Sequence, residues 1–300
     1  GAQTYLNVVE NSCNPGFVTL GQKLGTNRLY NYVTRFGFGQ KTGIDLNGES
    51  TGILFSLDRM GPVETATTAF GQGISVTPIQ QVRAVSAVVN GGELLKPYIV
   101  KTVSEPETNA TIVENKKQVL SQVISKETSD MAKYALESVV ANGSGRNAYI
   151  ENYRVGGKTG TAQKVENGVY LHGNYILSFI SFMPADDPEI VVYVAVNNPK
   201  GVTQYGGTVS APIARNVLMS AIELYDIEPD TEGMTKEYRW YEDSYIKLPD
   251  VRGMSSKDAA KLLKEFKLEY SGSGDTVLYM SPEPNYYVKK GGTIKIMLKD

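Results

Sequence analysis

The stretch YILSFISFMPADDPEIVVYVAVNNP, residues 175–199, constrains the fold more than any other part of the sequence. Two alternating apolar runs flank PADDP, a cluster of turn-forming residues, and that pattern predicts a β-hairpin. Shortly before it stands VGGKTGTAQ, Val155 to Gln163, in which a lone lysine sits between glycines and small hydroxyl residues. Glycine weakens a strand and offers no side chain to pack, so these residues suit a strand whose backbone something approaches closely. The lysine motif is therefore expected as the strand next to the hairpin.

Helical signals surround this sheet. In VTPIQQVRAVSAVVNGG, Thr77 is the expected N-cap with Pro78 at the first helical position. Ile79, Val82, Ser86 and Val89 share a face there, and Gly91 stops the helix. A second helix, in SKETSDMAKYALESVVANGSG, carries Ala132, Leu136 and Val139 or Val140 on one side and is expected to end at Gly143. A third runs from about Val209 to Leu224 after YGGT. Three strands flanked by helices give an α/β (α+β) layer with an antiparallel sheet.

Near Tyr225 the pattern turns polar, charged and aperiodic, which reads as a linker over residues 227–244 after a first domain of residues 1–226. Residues 245–300 read as a small α+β unit. It has a helix capped by Ser255, with Asp258 three residues on, and strand-like TVLYM and TIKIML joined by Pro- and Gly-rich turns.

Composition excludes several function classes. A formal net charge of −2 and a pI near 5.7 leave no electrostatic footprint for nucleic acid or an anionic membrane surface. Cys13 and His172 are the only residues of their kinds, so neither a disulfide framework nor a Cys/His metal cluster can be assembled, and no metal or organic cofactor is implied. His172, in YLHGNY, reads as a loop residue between strands, and Cys13 as a small packed residue. The longest apolar run, IVVYVAV from Ile190, is strand-sized, and the start has neither the basic nor the apolar region of a signal peptide. With no starting methionine, the chain is expected to be a fragment whose N-terminus lies elsewhere.

A lysine on a glycine-flanked strand can bind a carboxylate or lower the pKa of a neighbouring hydroxyl, and the hydroxyls of Thr159 and Thr161 can hydrogen-bond an anion. Read alone, the motif also fits an edge strand with a solvated lysine. Far upstream, ENSCNPGF contains Ser12, Cys13 and Asn14, an SxN pattern that could equally be a helix cap or a turn. SxN followed by KTG, however, is part of the signature of penicillin-binding proteins and class A β-lactamases.

With these motifs in order, the chain resembles the C-terminal part of a class B penicillin-binding protein, a monofunctional D,D-transpeptidase of the bacterial cell wall. The resemblance rests on NSCNPGF, AFGQGISVTPIQ, GGELLKPYIV, VGGKTGTAQ, SFISFMPADDPEIVVYVAVNNP and GGTVSAPIA, and it covers nearly every residue. The tail, LPDVRGMSSKDAAKLLKEFKL, is similar to a PASTA domain, and the whole is most similar to the sporulation-type members. The fold implied is a penicillin-binding/serine β-lactamase-like transpeptidase domain followed by one PASTA domain. The partners implied are peptidoglycan stem peptides ending in D-Ala-D-Ala, β-lactams, and a membrane glycosyltransferase of the cell-wall machinery. An N-terminal anchor outside this chain would hold it on the outer face of the cytoplasmic membrane.

The resemblance also implies roles. Ser12 would relay a proton between the nucleophile, its base lysine and the leaving amine. Asn14 would bond the substrate's peptide or a β-lactam side-chain amide. Lys158 would bridge the Ser12 hydroxyl and the substrate carboxylate, which Thr159 and Thr161 would bind. The Thr161 amide would form half of an oxyanion hole, and Gly160 would keep the strand open to substrate. The nucleophile itself belongs to an SxxK motif upstream of SxN in this family. The one SxxK match here, SYIK at Ser244 to Lys247, is in the wrong order and is rejected. The chain is thus expected to be inactive alone and to need an upstream segment carrying SxxK. A β-lactamase and a non-catalytic binding or docking protein are the alternatives.

Overall fold

Proline and cap residues set the helix starts. After α1 (Tyr5–Glu10), α2 (Asn14–Leu24) takes Pro15 into its first turn. Past α3 (Thr26–Arg35), both α4 (Pro62–Ala69) and α5 (Pro78–Val89) begin on proline, which has no amide hydrogen to leave unpaired there. The computed structural model describes residues 2–166, 168–236 and 245–299, and the chain divides into two compact units, Gly1–Lys236 and Glu237–Asp300.

Helix α5 has the expected capping box: the Thr77 side chain accepts from the Gln80 amide at 3.2 Å, and Gln80 Oε1 accepts from the Thr77 amide at 2.9 Å. Its buried face differs from the expected one. Of Ile79, Val82, Ser86 and Val89 only Val89 is buried, while Gln80, Arg83, Ala84 and Ala87 face inward. The reason is polar. Gln80 Nε2 donates to the carbonyls of Gln40 and Thr51 at 2.7 and 2.9 Å, and Arg83 Nη2 donates to that of Gly37 at 2.9 Å, so this face holds the loop across residues 37–51.

Two small ladders follow that the sequence did not announce: β1 (Glu93–Leu95), β2 (Thr102–Ser104), β3 (Thr111–Glu114) and β4 (Val119–Gln122), paired β1 with β4 and β2 with β3. Strands β2, β3 and β4 are exposed on both faces, so they carry no alternation to read. Next, α6 (Lys126–Ala141) starts on Ser125, whose side chain accepts from the Thr128 amide, and stops two residues before Gly143. Val139 and Val140 are fully buried, whereas Ala132 and Leu136 are half-buried.

The hairpin is formed by β6 (Val169–Met183) and β7 (Ile190–Asn197), and β5 (Gly156–Glu166), the lysine strand, lies beside β6 in an antiparallel sheet of order β5-β6-β7. The register runs Lys158 opposite Ile180 and Phe182 opposite Val191. Successive side chains on a strand alternate faces. Phe179 and Phe182 are both 0% exposed, so β6 is covered on both sides. Burying each ring stabilises by about 2 kcal/mol. His172 corrects its expectation: it lies within β6, exposed, where β5 and β6 continue as a two-stranded arm. Helix α7 (Gly206–Leu224) packs on the sheet and starts three residues earlier than expected.

The expected linker divides. Its part up to Lys236 belongs to the first unit, with the Met234 amide donating to Glu137 Oε1 and the Asp230 amide to the Asn152 carbonyl. Residues 237–244, with the rejected Ser244, lie outside the described residues, and Lys247 ends β8 (Tyr245–Lys247). The second unit adds α8 (Ser256–Leu262), β9 (Lys267–Gly272), β10 (Thr276–Ser281), β11 (Tyr287–Lys289) and β12 (Thr293–Lys299). Ser255 caps α8 by accepting from the Asp258 amide. The sheet order is β10-β12-β9, with β12 parallel to β9, over a core of Leu248, Val251, Leu263, Val277, Met280, Ile294 and Ile296. Among the described residues no helix is long and apolar enough to cross a membrane.

Candidate active site

Ser12 owes its position to the way α1 ends. The Ser12 amide donates to the Val9 carbonyl at 3.2 Å and the Cys13 amide to the Val8 carbonyl at 3.0 Å, the paired bonds of a Schellman cap. The first of these two donors must take the left-handed conformation, and glycine normally fills that place. Here it is Ser12, with φ of 52°. A side chain in that region costs about 1–2 kcal/mol. Cys13, half-buried with a free thiol, stands at the N-cap position of α2 without a side-chain cap bond, and Asn14 is the first residue of that helix. The Asn14 side chain is exposed and has no hydrogen-bond partner among the described residues.

Lys158 comes from the other end of the first unit. Its Nζ donates to Ser12 Oγ at 2.7 Å, across 146 residues of sequence, and to the Thr159 carbonyl at 3.1 Å. Burial pushes its pKa down from 10.5 to about 8, because desolvation disfavours the ammonium. No carboxylate lies within ion-pair distance of it among the described residues. The cation is thus held by neutral oxygens alone, with its electrostatic demand for an anion unmet.

The next residues along β5 tie this pair to the rest of the unit. Thr159 Oγ1 shares a hydrogen bond with Ser144 Oγ at 3.0 Å. Thr161 Oγ1 accepts from the Gly206 amide, the first of α7, at 3.2 Å. Gly160 and Gly206 meet where backbone crosses backbone: a Cβ on Gly206 would lie 2.5 Å from the carbonyl oxygens of Gly160 and Ser178. A Cβ on Gly160 would strike the Ser178 hydroxyl, so the missing side chain there makes room for β6 as well. Among the described residues β5 pairs with β6 alone, which leaves it an edge strand able to receive an extended chain.

Ser12, Lys158 and Thr159 are therefore brought into bonding contact, Thr161 is joined to α7, and Asn14 faces solvent beside them. Sequence reasoning missed Ser144 and Gly206. Ser144 lies in GSG, which reads only as a helix break, and Gly206 in GGTVSAPIA, whose first residues read as a loop. An apolar hollow of about 770 Å³ lies elsewhere, between α1 and α6, lined by Tyr5, Leu6, Val9, Met131 and Tyr134.

Comparison with known proteins bears on the family. The family model described as penicillin binding protein transpeptidase domain matches residues 1–219, and that of the PASTA domain matches residues 246–300. The chain is 56% identical over 300 residues to stage V sporulation protein D of Bacillus subtilis, covering 100% of this chain and 46% of that protein. It is 30% identical over 234 residues to penicillin-binding protein PbpB of Mycolicibacterium smegmatis, covering 75% of this chain and 36% of the relative. The chain thus spans less than half the length of these relatives. Among solved structures, penicillin binding protein 3 of Mycobacterium tuberculosis complexed with ampicillin is similar with a TM-score of 0.71 at 27% identity, covering 79% of this chain and 55% of that one. The transpeptidase domain of penicillin-binding protein 3 from Burkholderia pseudomallei is similar with a TM-score of 0.68 at 31% identity, covering 77% and 67%.

Proposed function

The chain belongs to the penicillin-binding-protein transpeptidase family and ends in a PASTA domain, and on that premise we propose that it forms the SxN and KTG side of a peptidoglycan D,D-transpeptidase site. The observation that carries this reading is the Lys158–Ser12 hydrogen bond at 2.7 Å, which joins the two motifs in one place. A serine of an upstream SxxK segment attacks the penultimate D-alanine carbonyl of a stem peptide and gives its proton to the lysine of that segment. The carbon–nitrogen bond breaks, and the departing D-alanine takes a proton relayed through Ser12. An acceptor amine of a second stem peptide then attacks the ester, returns a proton to the serine and leaves a new amide.

Each residue of this chain has a part. Lys158 orients the Ser12 hydroxyl and attracts the terminal carboxylate, which the Thr159 and Thr161 hydroxyls bond. Asn14 bonds the donor peptide, and the Thr161 amide stabilises the oxyanion together with the nucleophile's own amide. Gly160 lets the peptide lie along the edge of β5. A β-lactam enters the same place and acylates the same serine; support comes from the similar structure solved with ampicillin. The 56% identity to a stage V sporulation protein supports a role in sporulation. The site then works on the outer face of the cytoplasmic membrane beside a glycosyltransferase.

Intact-mass spectrometry after incubation with a fluorescent penicillin tests the reading, on this chain alone and on the chain extended upstream through SxxK. The extended protein is expected to gain one slowly released adduct and the chain alone none. Rapid turnover of the penicillin would indicate a β-lactamase instead. No adduct on the extended protein would leave a binding role only.

A further inference from the structure

Glu10 is an acid with no role in the chemistry above, yet it is only 8% exposed, two residues before Ser12. Its Oε1 accepts from Ser138 Oγ of α6 at 2.5 Å and its Oε2 from Asn7 Nδ2 at 2.8 Å. Its backbone carbonyl accepts from the Ser144 amide at 2.8 Å. Gly143 passes so close that a Cβ on it would lie 2.5 Å from that carbonyl oxygen. Ser144 in turn shares its hydroxyl hydrogen bond with Thr159, beside Lys158. The residue that ends α1 is thus bonded, side chain and backbone, to the segment that also contacts the lysine strand.

We propose that Glu10 is a positioning residue: its buried carboxylate, clamped by Ser138 and Asn7, fixes the end of α1 so that the strained Ser12 presents its hydroxyl to Lys158. The proposal rests on the transpeptidase reading. A six-residue helix cannot hold its own end in place, since isolated helices this short are unstable in water. Ser12 adds strain at that end, so an outside anchor is required. An apolar residue at position 10 would fill the space against α6 without fixing direction, because hydrophobic contact is non-directional. A buried carboxylate costs desolvation and is tolerated when hydrogen bonds satisfy it, and those bonds fix an angle as well as a distance. Glu10 is bonded at both oxygens.

The test is acylation by a chromogenic β-lactam, in the chain extended upstream through SxxK, with rates expressed per titratable site. Glu10→Ala is expected to slow the acylation step by about 10–100-fold with the non-covalent dissociation constant unchanged, the effect of displacing a relay group by about an ångström. Glu10→Gln keeps an acceptor for Ser138 and is expected to restore most of the rate. Ser138→Ala removes the opposite partner and is expected to slow the same step, which keeps the proposal testable should Glu10→Ala not fold. A purely structural role would lower the melting temperature and the number of titratable sites but leave the rate per site at the wild-type value; that result overturns the proposal, as does Glu10→Gln as slow as Glu10→Ala. Failure of the unsubstituted protein to acylate would overturn the transpeptidase reading itself, and this one with it.

Discussion

Lys158 is where stability and function oppose each other. Its ammonium is buried, held by neutral oxygens of Ser12 and Thr159, with no acid beside it among the described residues. The folded-state pKa of about 8 against 10.5 sets the sign of the pH dependence. Below about pH 8 both folded and unfolded chains hold the proton, and the folded state bears the full desolvation penalty. Between about 8 and 10.5 the unfolded chain binds more protons, so stability rises with pH across that window. Lys158→Met removes the penalty and is expected to stabilise the first unit at pH 7 by about 1–3 kcal/mol, since each pKa unit corresponds to about 1.4 kcal/mol. Thermal melts from pH 7 to pH 10 would check it: the gap between the two proteins closes as pH rises. A gap that is constant with pH would mean that burial of the charge is not its cause. The cost is the one a site that must attract a carboxylate has to bear, because a lysine already paired with an acid would have no attraction left for substrate.

The elements differ in how plainly the sequence announced them, for physical reasons. The hairpin β6–β7 was legible because alternation and the PADDP turn agree, and β5 because a glycine-flanked lysine suits little else beside it. The Ser12–Lys158 pairing was legible only as a motif resemblance, since nothing local links residues 146 apart. At Ser12 the sequence offered a helix cap or a turn without choosing between them and the SxN role, because serine stands where a Schellman cap favours glycine. In α5 the start was legible and the inward face was not. Hydrophobic periodicity selects Ile79, Val82, Ser86 and Val89, but the helix turns Gln80 and Arg83 inward to bond the loop carbonyls of Gln40, Thr51 and Gly37. Gln80→Leu therefore separates the two rules. Hydrophobic burial alone expects it to be neutral, whereas loss of the bonds to Gln40, Thr51 and Thr77 is expected to destabilise by about 2–3 kcal/mol. Urea denaturation of the two proteins measures the difference, and an unchanged midpoint would refute the polar account.

At the scale of the whole chain, the first unit extends beyond its last helix. Glu137 of α6 accepts from Arg154 Nε and Nη2 at 3.1 and 2.9 Å and from the Met234 amide at 3.1 Å, and Arg154 also lies 3.8 Å from Asp230. Arg154 directly precedes Val155 at the head of the lysine motif, so the segment up to Lys236 helps hold the start of β5. Composition had marked residues 227–236 as linker because they are polar and aperiodic. A segment that docks through backbone amides and single charged contacts carries no periodicity to read. Two truncations distinguish a linker from a docked strap. A chain ending at Lys236 is expected to melt like the first unit of the whole chain. A chain ending at Asp226 leaves Glu137 short of the Met234 amide and Arg154 short of Asp230, and is expected to lose about 1–3 kcal/mol, the range for an uncompensated buried hydrogen bond. Equal melting of the two chains would return residues 227–236 to the status of linker, and unequal melting would set the end of the first unit at Lys236, one side chain removed from the strand that carries Lys158.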